Sequence, residues 1–182
     1  MLVREFLCEL DSQNCVLSLL PHVTKFDPNL TQLYRTPPPC IGVLNLFSTA
    51  TTVLNELLAP HIPTILDAVF EPTLQMISQN MLDYPEHRIQ FFRFLRVANE
   101  NCFVALFNIP PQLQKLIIDS IVWAFKHTER NISETGLEIL HELLKKLTHQ
   151  PEISQPFYQQ FLLSLIQDIF SVMTDRLHKS GT

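Results

Sequence analysis

The chain has 182 residues, 46% hydrophobic and 17% charged, with a net charge of −5 and three glycines. That length allows one domain with a sizeable core. The acidic balance argues against a nucleic-acid-binding face, and scarce glycine argues against turn-rich β folds and phosphate-cradling loops.

Residues 1–41 are expected to be a divergent N-terminal segment. A helix is expected over about 3–20, with Phe6, Leu7, Leu10, Val16, Leu17, Leu19 and Leu20 as its apolar set. The stretch PHVTKFDPNLTQLYRTPPPC then reads as irregular chain, and Pro37-Pro38-Pro39 favours an extended connector. Arg4, Glu5, Glu9 and Asp11 interrupt any apolar leader, so no signal peptide is expected. No apolar run reaches the length of a membrane span, and the chain is expected to be soluble, intracellular and not inserted in a membrane. Cys8, Cys15, Cys40 and Cys102 form no C-x-x-C pair and are expected to be buried, reduced thiols.

From Gly42 the pattern becomes regular, and residues 42–182 are expected to form one helical domain. Periodicity places helices over about 42–58, 62–80, 85–107 and 111–127, then from about 131 and over about 155–177. Most of the thirteen prolines fall between these segments, where proline starts or stops a helix. Pro72 lies inside the second and should kink or break it. Leu113, Leu116, Ile117, Ile121 and Ala124 make one stripe on the fourth helix; Ile118, Val122 and Phe125 make another. Asn131 followed by Glu134 resembles a capping box opening the fifth, which carries Leu137, Leu140, Leu143, Leu144 and Leu147. The sixth carries Phe157, Phe161, Leu162, Leu165, Ile166, Ile169, Phe170 and Met173.

A helix apolar on more than one face must be packed between neighbours. Odd-numbered and even-numbered helices each recur at a spacing of about forty to fifty residues, the period of two-helix HEAT repeats. The fold class expected is therefore all-α: an α-α superhelix, or HEAT-repeat solenoid, of about three helix pairs behind the divergent segment. The last helix stays strongly apolar and the chain closes in DRLHKSGT, with no polar cap in view, so the pattern reads as part of a longer array. Exposed apolar ends should make the isolated chain marginally soluble.

No constellation argues for catalysis, a cofactor or a metal, and a non-enzyme is expected. The glycines at 42, 136 and 181 allow neither a P-loop nor a dinucleotide fingerprint. His141-Glu142 lacks the second histidine of H-E-x-x-H, and Asp119-Ser120 lacks any G-x-S-x-G context. Trp123 is expected to pack in the core, and Arg88, Arg93 and Arg96 to line the wet side of one helix. One segment stands out as a candidate partner-facing turn: Lys126, His127, Glu129 and Arg130, with Thr128 between them. Turns line one edge of a solenoid, where partners reach them.

DYPEHRIQFFRFLR and LIIDSIVWAFKHTERNISETGL, with IPTILDAVFEPTLQMI and IFSVMTDRLHKSG, resemble the C-terminal region of the export receptors in the importin-β-like karyopherin family. The resemblance spans roughly residues 42–181 and is most specific at YPEHR, WAFKHTERN and ETGL. It implies a right-handed superhelix of HEAT repeats. It also implies binding to the GTP-bound GTPase Ran and to cargo with leucine-rich export signals. Passage through nuclear pores would bring contact with Phe-Gly repeat proteins, and a location in nucleus, cytoplasm and nuclear envelope. In that family the export-signal groove, with its reactive cysteine, and the N-terminal Ran-binding portion lie upstream of the matched region. The chain is therefore expected to lack both, and Cys102 is not matched to the reactive cysteine. The alternative is a repeat scaffold, or inactive truncated paralogue, without a transport role.

Overall fold

The computed structural model describes residues 40–79 and 83–174. The expected helix near the N-terminus lies outside them. The described residues hold six α-helices and no strand. They are α1 (Ile41–Leu54), α2 (Ile62–Ser78), α3 (Pro85–Asn101), α4 (Pro111–Phe125), α5 (Arg130–Leu147) and α6 (Pro151–Thr174). The fold class is all-α, of the helical-repeat type, and the starts at 41, 85 and 130 and at 62, 111 and 151 keep the repeat period. The chain divides into two compact units, with the boundary after Leu113.

In the first unit α3 packs against both α1 and α2. Its own sequence explains this: Phe91, Phe92, Phe94, Leu95 and Ala98 are all fully buried, which takes in more than one side of the helix. Phe94 meets Phe47 of α1 with ring centroids 6.3 Å apart, and Phe91 meets Phe70 of α2 at 4.8 Å. Those separations lie in the range that tilted aromatic pairs prefer. Val43, Leu44 and Ala50 of α1 and Ile62, Ile65, Leu66 and Val69 of α2 complete the core. Helix α1 also buries Ser48 and Thr51, whose hydroxyls donate to the carbonyls of Leu44 (2.9 Å) and Phe47 (2.7 Å) four residues back. A hydroxyl satisfied within its own helix can enter an apolar core without loss of a hydrogen bond.

Arg88 departs from the wet-side expectation: it is 1% exposed, while Arg93 is exposed and Arg96 half-buried. Arg88 lies three and four residues before Phe91 and Phe92, so helical spacing puts it on the core face. Its Nη2 donates to the Asp83 carbonyl at 2.9 Å. Tyr84, in the left-handed region (φ 57°, ψ 46°), accepts the Arg88 amide at 3.1 Å, and Pro85 opens the helix.

Other boundaries move too. Helix α1 stops at Leu54, where Asn55 takes a positive φ of 46°, and two short 3₁₀ turns (Asn55–Leu57 and Ala59–His61) lead into α2. Helix α3 ends at Asn101, not near Phe107, and Phe103–Leu106 forms a separate 3₁₀ turn. The buried Cys102 thiol donates to the Asn55 carbonyl at 3.2 Å. Cys102 is a buried thiol outside any disulfide, and Cys8 and Cys15 lie outside the described residues. Helix α2 runs through Pro72 without a break. Helix α6 begins at Pro151, where Gln150 accepts the amides of Ile153 and Ser154, and runs on through Pro156.

In the second unit both stripes of α4 are used: Ile117, Ile121 and Ala124 are buried, as are Ile118 and Phe125. Helix α5 buries Ile132, Gly136, Ile139, Leu140, Leu143 and Leu147, and leaves Leu137 exposed. Gly136 is where α5 passes the end of α4. A Cβ there would sit 2.6 Å from the Phe125 amide nitrogen and 2.8 Å from the Ala124 Cβ. No side chain but hydrogen fits that approach. From α6 only Phe157, Phe161 and Leu165 enter the core.

Two stability predictions follow from these contacts. Phe94→Ala should lose about 3–5 kcal/mol, the usual range for an aromatic deleted from a core, read as a lower urea midpoint for the first unit. Gly136→Ala gains roughly 1 kcal/mol of helix propensity, yet the backbone collision should outweigh it. A net loss of about 1–3 kcal/mol, as for overpacking, is expected in thermal unfolding, and a stabilised variant would contradict the close approach.

Candidate functional site

The turn joining α4 to α5 is built from a helix end, a buried histidine and a helix start. The chain leaves α4 with the Lys126 amide on the Val122 carbonyl (3.1 Å) and the His127 amide on the Ala124 carbonyl (3.0 Å). Glu129 is extended (φ −80°, ψ 118°) and its carbonyl accepts the amides of Ile132 and Ser133, opening α5.

The four residues singled out in the sequence are brought together, but they do not stand alike. His127 is 2% exposed. Its Nδ1 accepts the Glu129 backbone N–H at 3.0 Å, and its ring lies tilted against Trp123, centroids 4.9 Å apart, with Trp123 half-buried. The accepting Nδ1 of a neutral ring places the proton on Nε2. His127 therefore shapes the turn from beneath, and the outward groups are Lys126, Thr128, Glu129 and Arg130.

Lys126 reaches across to α6, where its Nζ meets Asp168 Oδ1 at 2.5 Å. Arg130 is the most open of the set; its Nε donates to Glu134 Oε1 at 2.7 Å. That hydrogen bond, and then the Glu134 charge, raise the Arg130 pKa above its ordinary value. Glu134 is thereby engaged by Arg130, so the expected capping box is not formed. Asn131 Oδ1 accepts the Ile132 N–H at 2.8 Å instead. The turn thus presents two cations held on carboxylates beside Glu129: a mixed-charge surface that suits a polar protein partner.

A second feature is an open cleft between α5 and α6, of about 570 Å³, lined by His141, Leu144, Lys145, Thr148, Tyr158 and Leu162. Its lining combines Leu144 and Leu162 with the polar groups of His141, Lys145, Thr148 and Tyr158. Among the described residues no group of three or more His, Cys, Asp or Glu side chains could hold a metal ion, and no helix is long and apolar enough to cross a membrane.

Sequence reasoning missed the Lys126–Asp168 pair, whose members lie 42 residues apart. It also missed the role of Gly136, although a lone glycine inside a helical pattern was a usable signal for close packing.

Stacked helix pairs joined by such turns define a helical-repeat protein of the kind that recognises other macromolecules along its faces and edges. The model for the CRM1 C-terminal family matches residues 38–182, and the chain belongs to that family. It is 54% identical over 140 residues to Exportin-1 of Schizosaccharomyces pombe and 50% identical over 139 residues to Exportin-1 of Dictyostelium discoideum. Exportin-1 of Drosophila melanogaster is 44% identical over 139 residues. Each match covers 76% of this chain and 13% of the relative, so the chain spans about one eighth of the length of these relatives.

His127→Ala should leave the Glu129 amide without its acceptor. The expected result is faster hydrogen exchange at Glu129 and a loss of about 1–3 kcal/mol, the range for a hydrogen-bond donor left unsatisfied.

Proposed function

We propose that this chain is a C-terminal helical-repeat module of a nuclear export receptor, without enzyme activity. On this reading it serves Ran-dependent export of proteins with leucine-rich signals, in the nucleus and cytoplasm and at the nuclear envelope and pore. The observation that carries the reading is the 44–54% identity to Exportin-1 of three organisms over about three quarters of the chain. The packing supports it: apolar helix pairs with short turns give a stable frame that presents surface to a partner.

The module's share of the work is binding and shape. The turn carrying Lys126, Glu129 and Arg130, held by His127, is the surface proposed to meet a protein partner, with Ran or a Phe-Gly pore protein as the candidates. No cofactor is needed for this role. The groove that takes the export signal is assigned to a part of the receptor outside this chain, as is the principal Ran-binding portion. Residues 1–41 are assigned to a separate segment ahead of the repeat domain.

Two measurements test the proposal. In a pull-down with GTP-loaded Ran and an export-signal peptide, the chain alone should give little or no ternary complex; robust assembly would contradict the division of labour. Fission yeast Exportin-1 carrying this segment in place of its own matched residues should still export a reporter with a leucine-rich signal. Lys126→Glu with Arg130→Glu in that chimera should slow export. A chimera that folds but leaves the reporter in the nucleus would overturn the transport reading and favour the scaffold.

A further inference from the structure

His127 holds the turn between α4 and α5 through one ring nitrogen. The side chain is 2% exposed, and its Nδ1 accepts the Glu129 backbone N–H at 3.0 Å. A neutral imidazole has one acceptor nitrogen; an imidazolium has two donors and no acceptor. A proton on Nδ1 would set one N–H against another. Protonation and this hydrogen bond therefore exclude each other.

The charged groups of the elements that meet at the turn come from three helices. Lys126 follows α4 and is held by Asp168 of α6; Arg130 opens α5 and is held by Glu134. Glu129 adds a carboxylate two residues along the chain. Each cation sits on its own carboxylate, so what opposes an imidazolium here is the N–H in front of Nδ1.

We propose that His127 is a proton-operated latch: uptake of a proton at Nδ1 releases the Glu129 N–H and opens the α4–α5 turn. The proton comes from solvent and adds to the Nδ1 lone pair, and only the hydrogen bond is broken. Imidazole is the side chain whose ordinary titration, near pH 6.5, falls in the neutral range. The closed turn leaves Nδ1 unprotonated and the open turn lets it take a proton. The closed form is thus fully favoured above about pH 6.5 and loses up to about tenfold per pH unit below it. Lys126, Glu129 and Arg130 ride on this turn, so their spacing follows pH whichever partner they meet. The inference uses the turn alone and stands independently of the transport reading.

Native-state hydrogen exchange on the full chain from about pH 8 to about pH 5.5 tests it, each rate being divided by the intrinsic rate at that pH. Protection of the Glu129 amide should hold above about pH 6.5 and fall by up to about tenfold per unit below it. The Leu140 and Leu143 amides inside α5 should keep theirs. In His127→Asn, whose side-chain oxygen can accept but does not titrate, Glu129 protection should not change with pH. Nitrogen NMR of the wild-type ring adds a reading that needs no variant: the neutral Nε2–H form should persist for as long as Glu129 stays protected. Protection that is constant with pH in the wild type overturns the proposal, as does an imidazolium signal while Glu129 is still protected. A fall shared by Leu140 and Leu143 overturns it by showing global acid unfolding. An equal fall in His127→Asn overturns it by placing the proton on another group.

Discussion

The first unit depends on α3 burying side chains toward two neighbours at once. Phe91 is committed to Phe70 and Phe94 to Phe47, and neither contact can be surrendered without exposing an aromatic ring. Each such ring stabilises the fold by about 1.5–3 kcal/mol on burial. The commitment reaches beyond the core. Because Arg88 shares a face with Phe91 and Phe92, burying them buries it, and its guanidinium turns to a backbone carbonyl at Asp83. The packing of one helix thereby fixes the chain reversal that precedes it.

The second unit is governed by a shortage of volume rather than a wealth of it. At Gly136 two helix backbones come as close as a missing Cβ allows. The turn from α4 to α5 lies close by in sequence, so its shape is set by that approach and by His127 beneath it. Its outward charges can vary without disturbing either support. This separation of support from display suits a module that works by recognition, with a stable frame presenting polar groups at an edge.

Much of the architecture was legible in the sequence because proline and hydrophobic period agree. Pro85 and Pro111 open helices where expected, and the two faces of α4 are both buried as their stripes imply. The misreadings have local causes. Helix α6 starts ahead of the expected boundary because Pro151, whose missing N–H falls among the unpaired first-turn donors, opens it before Pro156. The stop of α3 at Asn101 depends on contacts made elsewhere in the fold, which periodicity does not report. Leu137 reads as core by its type, but Gly136 takes the contact and leaves Leu137 outside. At the candidate turn, sequence could gather Lys126, His127, Glu129 and Arg130. It could not separate the buried ring from the outward cations, since the burial of His127 depends on how the turn folds back on Trp123.

Cys102 carries one more consequence. Its thiol is enclosed and points at the carbonyl where α1 ends, joining two chain breaks that are 47 residues apart. A thiol in that position can be alkylated only when the ends of α1 and α3 part. Its labelling rate, followed peptide by peptide in a mass spectrometer, is a native clock for the opening of that junction, and needs no introduced probe.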